Sequence, residues 1–279
     1  MFENVWAVYF SGTGTTEKIV LTIRDQVASE RLLTQKILDF TKPDKREKAP
    51  IFTEKDIVIF GMPVIAGRVP NLMLKFLKTI KGGGALCTPV VLYGNRNFDD
   101  GLIELRDILQ EVGFVTVAAG AFVGEHSFSN ILGKGRPDEA DLKLARKLGK
   151  ALAEISVYME KGGEPETPVL VPGVMKPYRE YYKPRDRHGN HIDIRKVKPK
   201  TDKDKCIDCK LCVEICPLGS IDYDEVSNIM GICMKCCGCV KKCPQGAKYF
   251  DDPGYLYHKH ELEEMYERYG KSQIFFRGI

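Results

Sequence analysis

Apolar and polar positions alternate in two distinct ways along the first 160 residues. Residues 3–10 form a β-rich run, and residues 17–23 follow with apolar positions at helical spacing. The pattern then predicts strands over 32–38, 57–60, 89–93 and 114–122, and helices over 71–80, 99–112 and 137–160. Because strands and helices take turns along the chain, we expect a doubly wound α/β fold with helices on both faces of a parallel sheet.

A turn rich in glycine and hydroxyl side chains joins the first strand to the first helix. It reads Ser11-Gly12-Thr13-Gly14-Thr15-Thr16. A strand, a glycine turn and a helix N-terminus together surround an anion with backbone N–H groups. This turn lacks the lysine of a P-loop, and Glu17 stands where a dinucleotide fingerprint has its third glycine. Hydroxyls and amides can instead donate to a terminal monophosphate without a cation, and this is the interpretation that the residues favour.

In open α/β sheets, ligands bind beyond the carboxyl ends of the strands. Three polar or glycine-containing loops are expected at that edge, over residues 61–70, 94–100 and 124–127. Two of their side chains leave alternatives open. Arg96 could cap a helix or pair with Asp99 or Asp100 instead of facing a ligand, and His126 could be an ordinary loop histidine rather than a proton donor.

The cysteines define a second region. Of the ten in the chain, Cys87 stands alone in a buried-strand pattern, and nine lie between Cys206 and Cys243. Two runs share one spacing, C-x2-C-x2-C-x3-C-P, and each cysteine of the first run recurs 27 positions later. This duplication is the mark of a ferredoxin with two [4Fe–4S] clusters.

The spacing also predicts how the ligands are shared. Three thiolates two residues apart wrap one face of a cubane, and the fourth, before proline, ligates the other cluster. One cluster is therefore assigned to Cys206, Cys209, Cys212 and Cys243, and the other to Cys233, Cys236, Cys239 and Cys216. The alternative, a pair of zinc sites, fits less well because such sites usually pair two C-x2-C knuckles across a longer gap. Cys237 has no counterpart in the first run and is expected to be a spare thiol beside the cluster.

The segment between the two regions, residues 161–205, has no clear periodicity. It is rich in proline and lysine or arginine, with tyrosines interleaved. We expect a packed inter-domain arm, while a docking patch for an acidic electron carrier and an RNA-binding stretch stay as alternatives. The predicted organisation is an α/β domain over 1–160, a connector over 161–200, a ferredoxin domain over 201–252 and a partly helical tail over 253–279.

Composition narrows the class of protein. The chain has 279 residues, 43% apolar and 29% charged, as in an ordinary globular protein, and its net charge of +4 is too small to indicate nucleic acid. No run approaches the roughly 18 apolar residues of a membrane span. The first ten residues carry an acid and no basic segment, so we expect no signal peptide and a cytoplasmic location.

The turn over residues 11–16, called the phosphate turn below, and the strand–helix order over residues 1–160 resemble those of flavodoxins, which hold FMN. The loops at 61–67 and 93–100 then resemble the two loops that sandwich the isoalloxazine ring. The FMN-binding residues implied by this resemblance are Ser11, Gly12, Thr13, Gly14, Thr15, Thr16, Pro63, Val64, Ile65, Ala66, Gly67, Tyr93, Gly94, Asn95, Arg96, Phe98, Asp99, Asp100 and His126. The chain departs from familiar flavodoxins at the ring, because its only tryptophan, Trp6, lies in the first strand.

Together with the cysteine repeat, the whole chain resembles a flavodoxin–ferredoxin fusion of the EFR-type ferredoxin family. The resemblance implies a sheet of order 2-1-3-4-5, followed by a small α+β bacterial-type ferredoxin domain. It implies electron transfer between two [4Fe–4S] clusters and an FMN in anaerobic metabolism, with an unidentified redox partner protein. A flavin-dependent reductase of a small molecule is the alternative, a module without flavin is a third, and a homodimer stays open.

Overall fold

The computed structural model describes residues 1–276, and its first part is an α/β domain. The elements of this part are β1 (Asn4–Tyr9), α1 (Thr15–Arg31), β2 (Thr34–Asp39), β3 (Asp56–Pro63), α2 (Leu74–Leu77), β4 (Leu86–Tyr93), α3 (Gly101–Glu111), β5 (Val115–Thr116), β6 (Ala118–Val123) and α4 (Glu139–Glu160). The predicted strand over 114–122 is thus split in two. The predicted helix over 71–80 is a 3₁₀ turn over 71–73 followed by α2, a single turn.

The strands of this part pair in the order β2-β1-β3-β4-β6, all in parallel, and β5 extends the edge of β4. This is the flavodoxin-like doubly wound order, and it confirms the predicted fold class. Side chains alternate between two cores, one on each face of the sheet. Helices α1 and α4 cover the face with Val5, Ala7 and Ile59, whereas α2 and α3 cover the face with Val8 and Phe60.

A smaller second part contains the cysteine runs. Its elements are β7 (Lys200–Thr201), α5 (Leu211–Glu214), α6 (Gly238–Lys241), β8 (Lys248–Tyr249), α7 (Pro253–Tyr266) and β9 (Gln273–Phe276). β7 and β8 form a two-stranded antiparallel sheet. The tail helix α7 begins at Pro253, where the Asp252 side chain accepts from the Tyr255 amide at 2.8 Å and caps its N-terminus.

The end of the chain returns to the first sheet. β9 pairs antiparallel with β6, from Ala118 opposite Phe276 to Ala121 opposite Gln273. The sequence pattern did not predict this strand. It covers the edge that the flavodoxin-like order would leave open, so residues beyond the cysteine runs complete the α/β sheet.

The connector packs against the α/β domain, as expected of an arm. Tyr178 and Tyr181 both lie on the guanidinium of Arg68, at 4.8 and 4.9 Å from their ring centroids. The fully buried carboxylate of Asp100 accepts from the amide and the guanidinium of Arg179, at 3.0 and 2.9 Å. These contacts fix the course of the arm over α3.

Within residues 1–276, no helix is both long and apolar enough to cross a membrane.

Candidate functional site

The eight paired cysteines surround two separate cavities. Cys206, Cys209, Cys212 and Cys243 line one of them. Cys216, Cys233, Cys236 and Cys239 line the other. The structure thus brings together the two sets assigned from the spacing, each with its fourth cysteine from the opposite run. Among the described residues, no three His, Cys, Asp or Glu side chains converge on a position for a single metal ion.

The two runs repeat in backbone geometry as well as in spacing. Lys210 and Cys237, 27 positions apart, both adopt a left-handed φ near +60° just before the short helices α5 and α6. The sulfur of the fourth cysteine in each run accepts from the backbone N–H four residues later. The amide of Ser220 donates to Cys216 at 3.4 Å, and the amide of Ala247 donates to Cys243 at 3.3 Å. Amide donors of this kind stabilise thiolates that bind iron. The cysteine sets and their amides therefore fit iron–sulfur clusters.

Equivalent positions of the two runs differ in burial. Cys209, on the first cavity, is exposed, and its neighbour Ile207 is 62% exposed. At the second cavity, burial raises the pKa of Cys236 to about 11, so the thiol would lose its proton only with a cation such as iron beside it. Cys237 also lines this second cavity; its sulfur is buried, 3.6 Å from the hydroxyl of Tyr255.

The second cysteine set lies directly on the phosphate turn. A methyl group placed on Gly12 would be 3.0 Å from Cβ and 3.4 Å from Sγ of Cys236. One placed on Gly238 would be 2.7 Å from the carbonyl oxygen of Gly12. In the first run the position equivalent to Gly238 is Leu211. A glycine is thus found in the run that meets the α/β domain, where no side chain fits.

Other contacts between the two parts involve the same side of the ferredoxin region. Leu218 and Met234, which line the second cavity, pack against the apolar core beneath the sheet. Arg46 donates to the carbonyl oxygen of Pro217 at 2.6 Å. Lys241 forms an ion pair with Glu125 and donates to the Ser129 carbonyl oxygen at 2.8 Å. The second cavity is therefore the one held against the α/β domain.

The phosphate turn is preformed. The hydroxyl oxygen of Ser11 accepts from the amides of Gly14 and Glu17, both at 3.2 Å, and so holds the turn closed. Gly14 adopts a φ of +99° at the start of α1, which favours glycine. Among residues 1–276, the hydroxyls of Thr13, Thr15 and Thr16 have no hydrogen-bond partner. Three free hydroxyls at a helix N-terminus fit a phosphate group.

Several predicted flavin-site residues have polar atoms engaged elsewhere. Tyr93 donates to the Lys271 carbonyl oxygen at 2.8 Å, and Asn95 donates to the carbonyl oxygens of Tyr266, at the end of α7, and of Arg268. Asp100 holds the arm, and Asp99 pairs with Arg96. Tyr93 and Asn95 attach the tail to the loop over 93–100, and Asp100 attaches the arm to it, so polar atoms of these side chains are already engaged within the protein. The pairing of Arg96 with Asp99 is one of the alternatives that the sequence left open. Local patterns do not predict the roles of Tyr93, Asn95 and Asp100, because their partners lie more than 70 residues away.

The remaining loop residues border a cluster that the pattern did not reveal. The amide of Tyr182 donates to the Ala66 carbonyl oxygen at 2.9 Å, in the loop that also holds Pro63, Val64, Ile65 and Gly67. The ring of Tyr182 stacks on His258 of α7 at 5.8 Å, and the guanidinium of Arg96 lies over it at 4.8 Å. Burial, and after it the nearby His258, lowers the pKa of His126 to about 4. The arm and α7 therefore cover the edge where the three loops meet.

Comparison with known proteins gives one family match. The model of the 4Fe–4S binding domain matches residues 199–222, which include the first cysteine run. No curated protein matches the sequence. Similar solved structures include a flavodoxin from the domain Archaea, 17% identical over 55% of this chain and 97% of its own, with a TM-score of 0.40. Flavodoxin 2 from Bacillus cereus is 18% identical over 55% and 99%, also with a TM-score of 0.40.

These similarities are too low to carry function, so the fold assignment rests on the strand order itself. The chain combines an α/β domain of flavodoxin-like topology with a 4Fe–4S binding domain. That combination supports a function in electron transfer.

Proposed function

We propose that this chain transfers electrons between two [4Fe–4S] clusters and a bound FMN, as a fused flavodoxin–ferredoxin of anaerobic metabolism. The clusters would be held by the two cysteine sets, and the FMN phosphate by the turn over residues 11–16. When bound, the clusters supply one-electron chemistry and the flavin supplies one- or two-electron chemistry.

The observation that carries the proposal is the contact between Gly12 and the second cysteine set. Cys236 and Gly238 approach the phosphate turn so closely that neither Gly12 nor Gly238 could bear a side chain unless the two segments moved apart. A cluster held by Cys236 would therefore lie next to the turn that would hold the flavin phosphate. The protein supplies this proximity through rigid packing, without a flexible tether between the two parts.

The difference in burial suggests an order for the relay. Cys209 and Ile207 reach solvent, so the first cavity faces an external redox partner. The second cavity lies between the first and the α/β domain, with Leu218 and Met234 against the core. Electrons would pass from the partner through the first cluster to the second and then to the flavin, or in reverse.

The alternative function is a flavin-dependent reductase of a small molecule, fed by the same clusters. Such an enzyme needs its flavin ring open to a substrate. In this structure Tyr182 from the arm and His258 from α7 cover the edge where the ring is expected. This observation favours the carrier over the reductase.

Rapid mixing of anaerobically purified protein tests the relay. With reduced clusters and oxidised flavin in one chain, the absorbance change of the flavin should follow a rate constant that is independent of protein concentration. A rate proportional to protein concentration would refute the fused relay. A preparation without flavin, or with zinc and no acid-labile sulfide, would refute the cofactor assignment.

The phosphate turn gives a separate prediction. Thr13→Ala and Thr16→Ala each remove a free hydroxyl, and a hydrogen bond to a charged group is worth roughly 1.5–3 kcal/mol. We expect each variant to bind FMN at least about tenfold more weakly, measured by quenching of flavin fluorescence. Thr22→Ala, also in α1 but bonded to its own helix through Lys18, is the control. Unchanged affinity in the Thr13/Thr16 double variant would place the phosphate elsewhere.

A further inference from the structure

His258 carries a buried nitrogen with no hydrogen-bond partner. Its side chain lies on α7 and is 5% exposed. Within residues 1–276, only its Nδ1 and the hydroxyl of Thr88 are buried side-chain polar atoms that lack a partner. Leaving such a group unpaired costs about 1–3 kcal/mol, so an unpaired buried nitrogen points to a partner that the protein itself does not provide.

The surroundings of His258 belong to the expected isoalloxazine site. Tyr182 stacks on the imidazole at 5.8 Å, and the amide of Tyr182 is bonded to Ala66 of the first ring loop. The guanidinium of Arg96, in the second ring loop, lies over the same tyrosine ring at 4.8 Å from its centroid. The ring of Tyr182 therefore connects His258 with both ring loops, over residues 61–67 and 93–100.

The third loop reaches His258 from another side. The edge of Phe128 packs on the imidazole, at 6.4 Å between ring centroids. Phe128 in turn contacts His126, whose Nδ1 accepts from the Phe128 amide at 3.1 Å, and His126 packs against Gly94. The imidazole of His258 is thus linked to all three loops at the carboxyl ends of the strands, through the rings of Tyr182 and Phe128.

We propose that Nδ1 of His258 forms a hydrogen bond with the polar edge of the isoalloxazine ring of the bound flavin. This inference rests on the proposed function and adds a residue from α7, beyond the cysteine runs, to the flavin site. It gives a reason for the return of the chain end, because β9 and the contacts of Asn95 hold α7 against the ring loops. A neutral imidazole can donate or accept such a bond.

Four substitutions separate hydrogen bonding from packing. His258→Asn keeps a polar atom close to the position of Nδ1, His258→Gln moves it toward Nε2, and His258→Leu removes it. His260→Leu makes the same change on the same helix at an exposed site and is the matched control. The flavin dissociation constant and the position of the visible flavin absorption bands are measured on protein that retains its iron.

We expect His258→Leu to weaken flavin binding roughly two- to tenfold, which is the value of one hydrogen bond, and to shift the absorption bands. His258→Asn should stay near the wild type and bind more tightly than His258→Gln. Equal affinities and spectra for Leu, Asn and wild type would overturn the role of His258, and so would equal losses in Asn and Leu. If the Leu variant does not fold, the comparison of Asn with Gln decides. Wild-type protein that binds no flavin would overturn the proposed function instead.

Discussion

Substitution of Gly238 by alanine tests the contact on which the relay depends. The added methyl carbon would lie 2.7 Å from the carbonyl oxygen of Gly12, whereas carbon and oxygen normally approach to about 3.3 Å. The phosphate turn and the second cysteine run must therefore separate by roughly 0.6 Å. Overpacking of this kind costs about 1–3 kcal/mol. Because the backbone of Gly238 does not have a positive φ, this cost reflects space alone.

The variant should melt at a lower temperature, by about 2–4 °C for each kcal/mol. It should also transfer electrons more slowly from reduced clusters to flavin, while its iron content stays unchanged. Leu211→Ala changes the equivalent position of the first run, where a side chain is already accommodated; it creates no overlap with the α/β domain, so the rate of transfer to the flavin should stay near that of the wild type, and any loss of stability reflects lost packing alone. Gly12→Ala approaches the same contact from the opposite side and should slow transfer as well. A Gly238→Ala protein with wild-type melting temperature and transfer rate would refute the reasoning.

Two further predictions concern the thiols and the histidines. Protein purified without oxygen should contain about eight iron and eight sulfide ions per chain. The Cys237→Ser variant should keep this content, whereas Cys209→Ala should lose one cluster. Loss of iron in the Cys237→Ser variant would mean that Cys237 is a ligand. Burial lowers the pKa of His126 and of His258 to about 4 in the folded protein, whereas the pKa in the unfolded chain is about 6.5. As the pH falls, the unfolded chain therefore binds protons before the folded protein does, and the free energy of unfolding should decrease between pH 6.5 and pH 4. Melting temperatures should show this loss, and a His126→Phe variant with an undiminished pH dependence would contradict it.

The fold and the cysteine sets follow from local patterns in the sequence. The strand–helix alternation predicts the α/β domain because each element carries its own periodicity. The spacing of the two cysteine runs predicts which four thiols share a cavity, because loop length restricts where each sulfur can reach. Both features depend on residues near one another in the chain.

The covering of the expected flavin edge does not follow from such patterns. β9 is a four-residue strand whose partner, β6, lies about 150 residues earlier, so nothing local marks it. Tyr182 and His258 belong to segments with no strong periodicity, and their positions depend on how the arm and α7 pack. One signal was available in the duplication itself, because Gly238 replaces Leu211 at the surface where the two parts meet.

In the proposed relay, the two runs of one duplicated motif serve two different positions. Their spacing and local backbone are the same, so any functional difference between the sites comes from what packs on them. At the second site the α/β domain packs on Cys236 and Met234, and burial and hydrogen bonding around a cluster are the means by which a protein sets its potential. At the first site Cys209 and Ile207 stay exposed. Under the proposed function, the first cluster would exchange electrons with the partner, and the second would exchange them with the protein's own flavin domain.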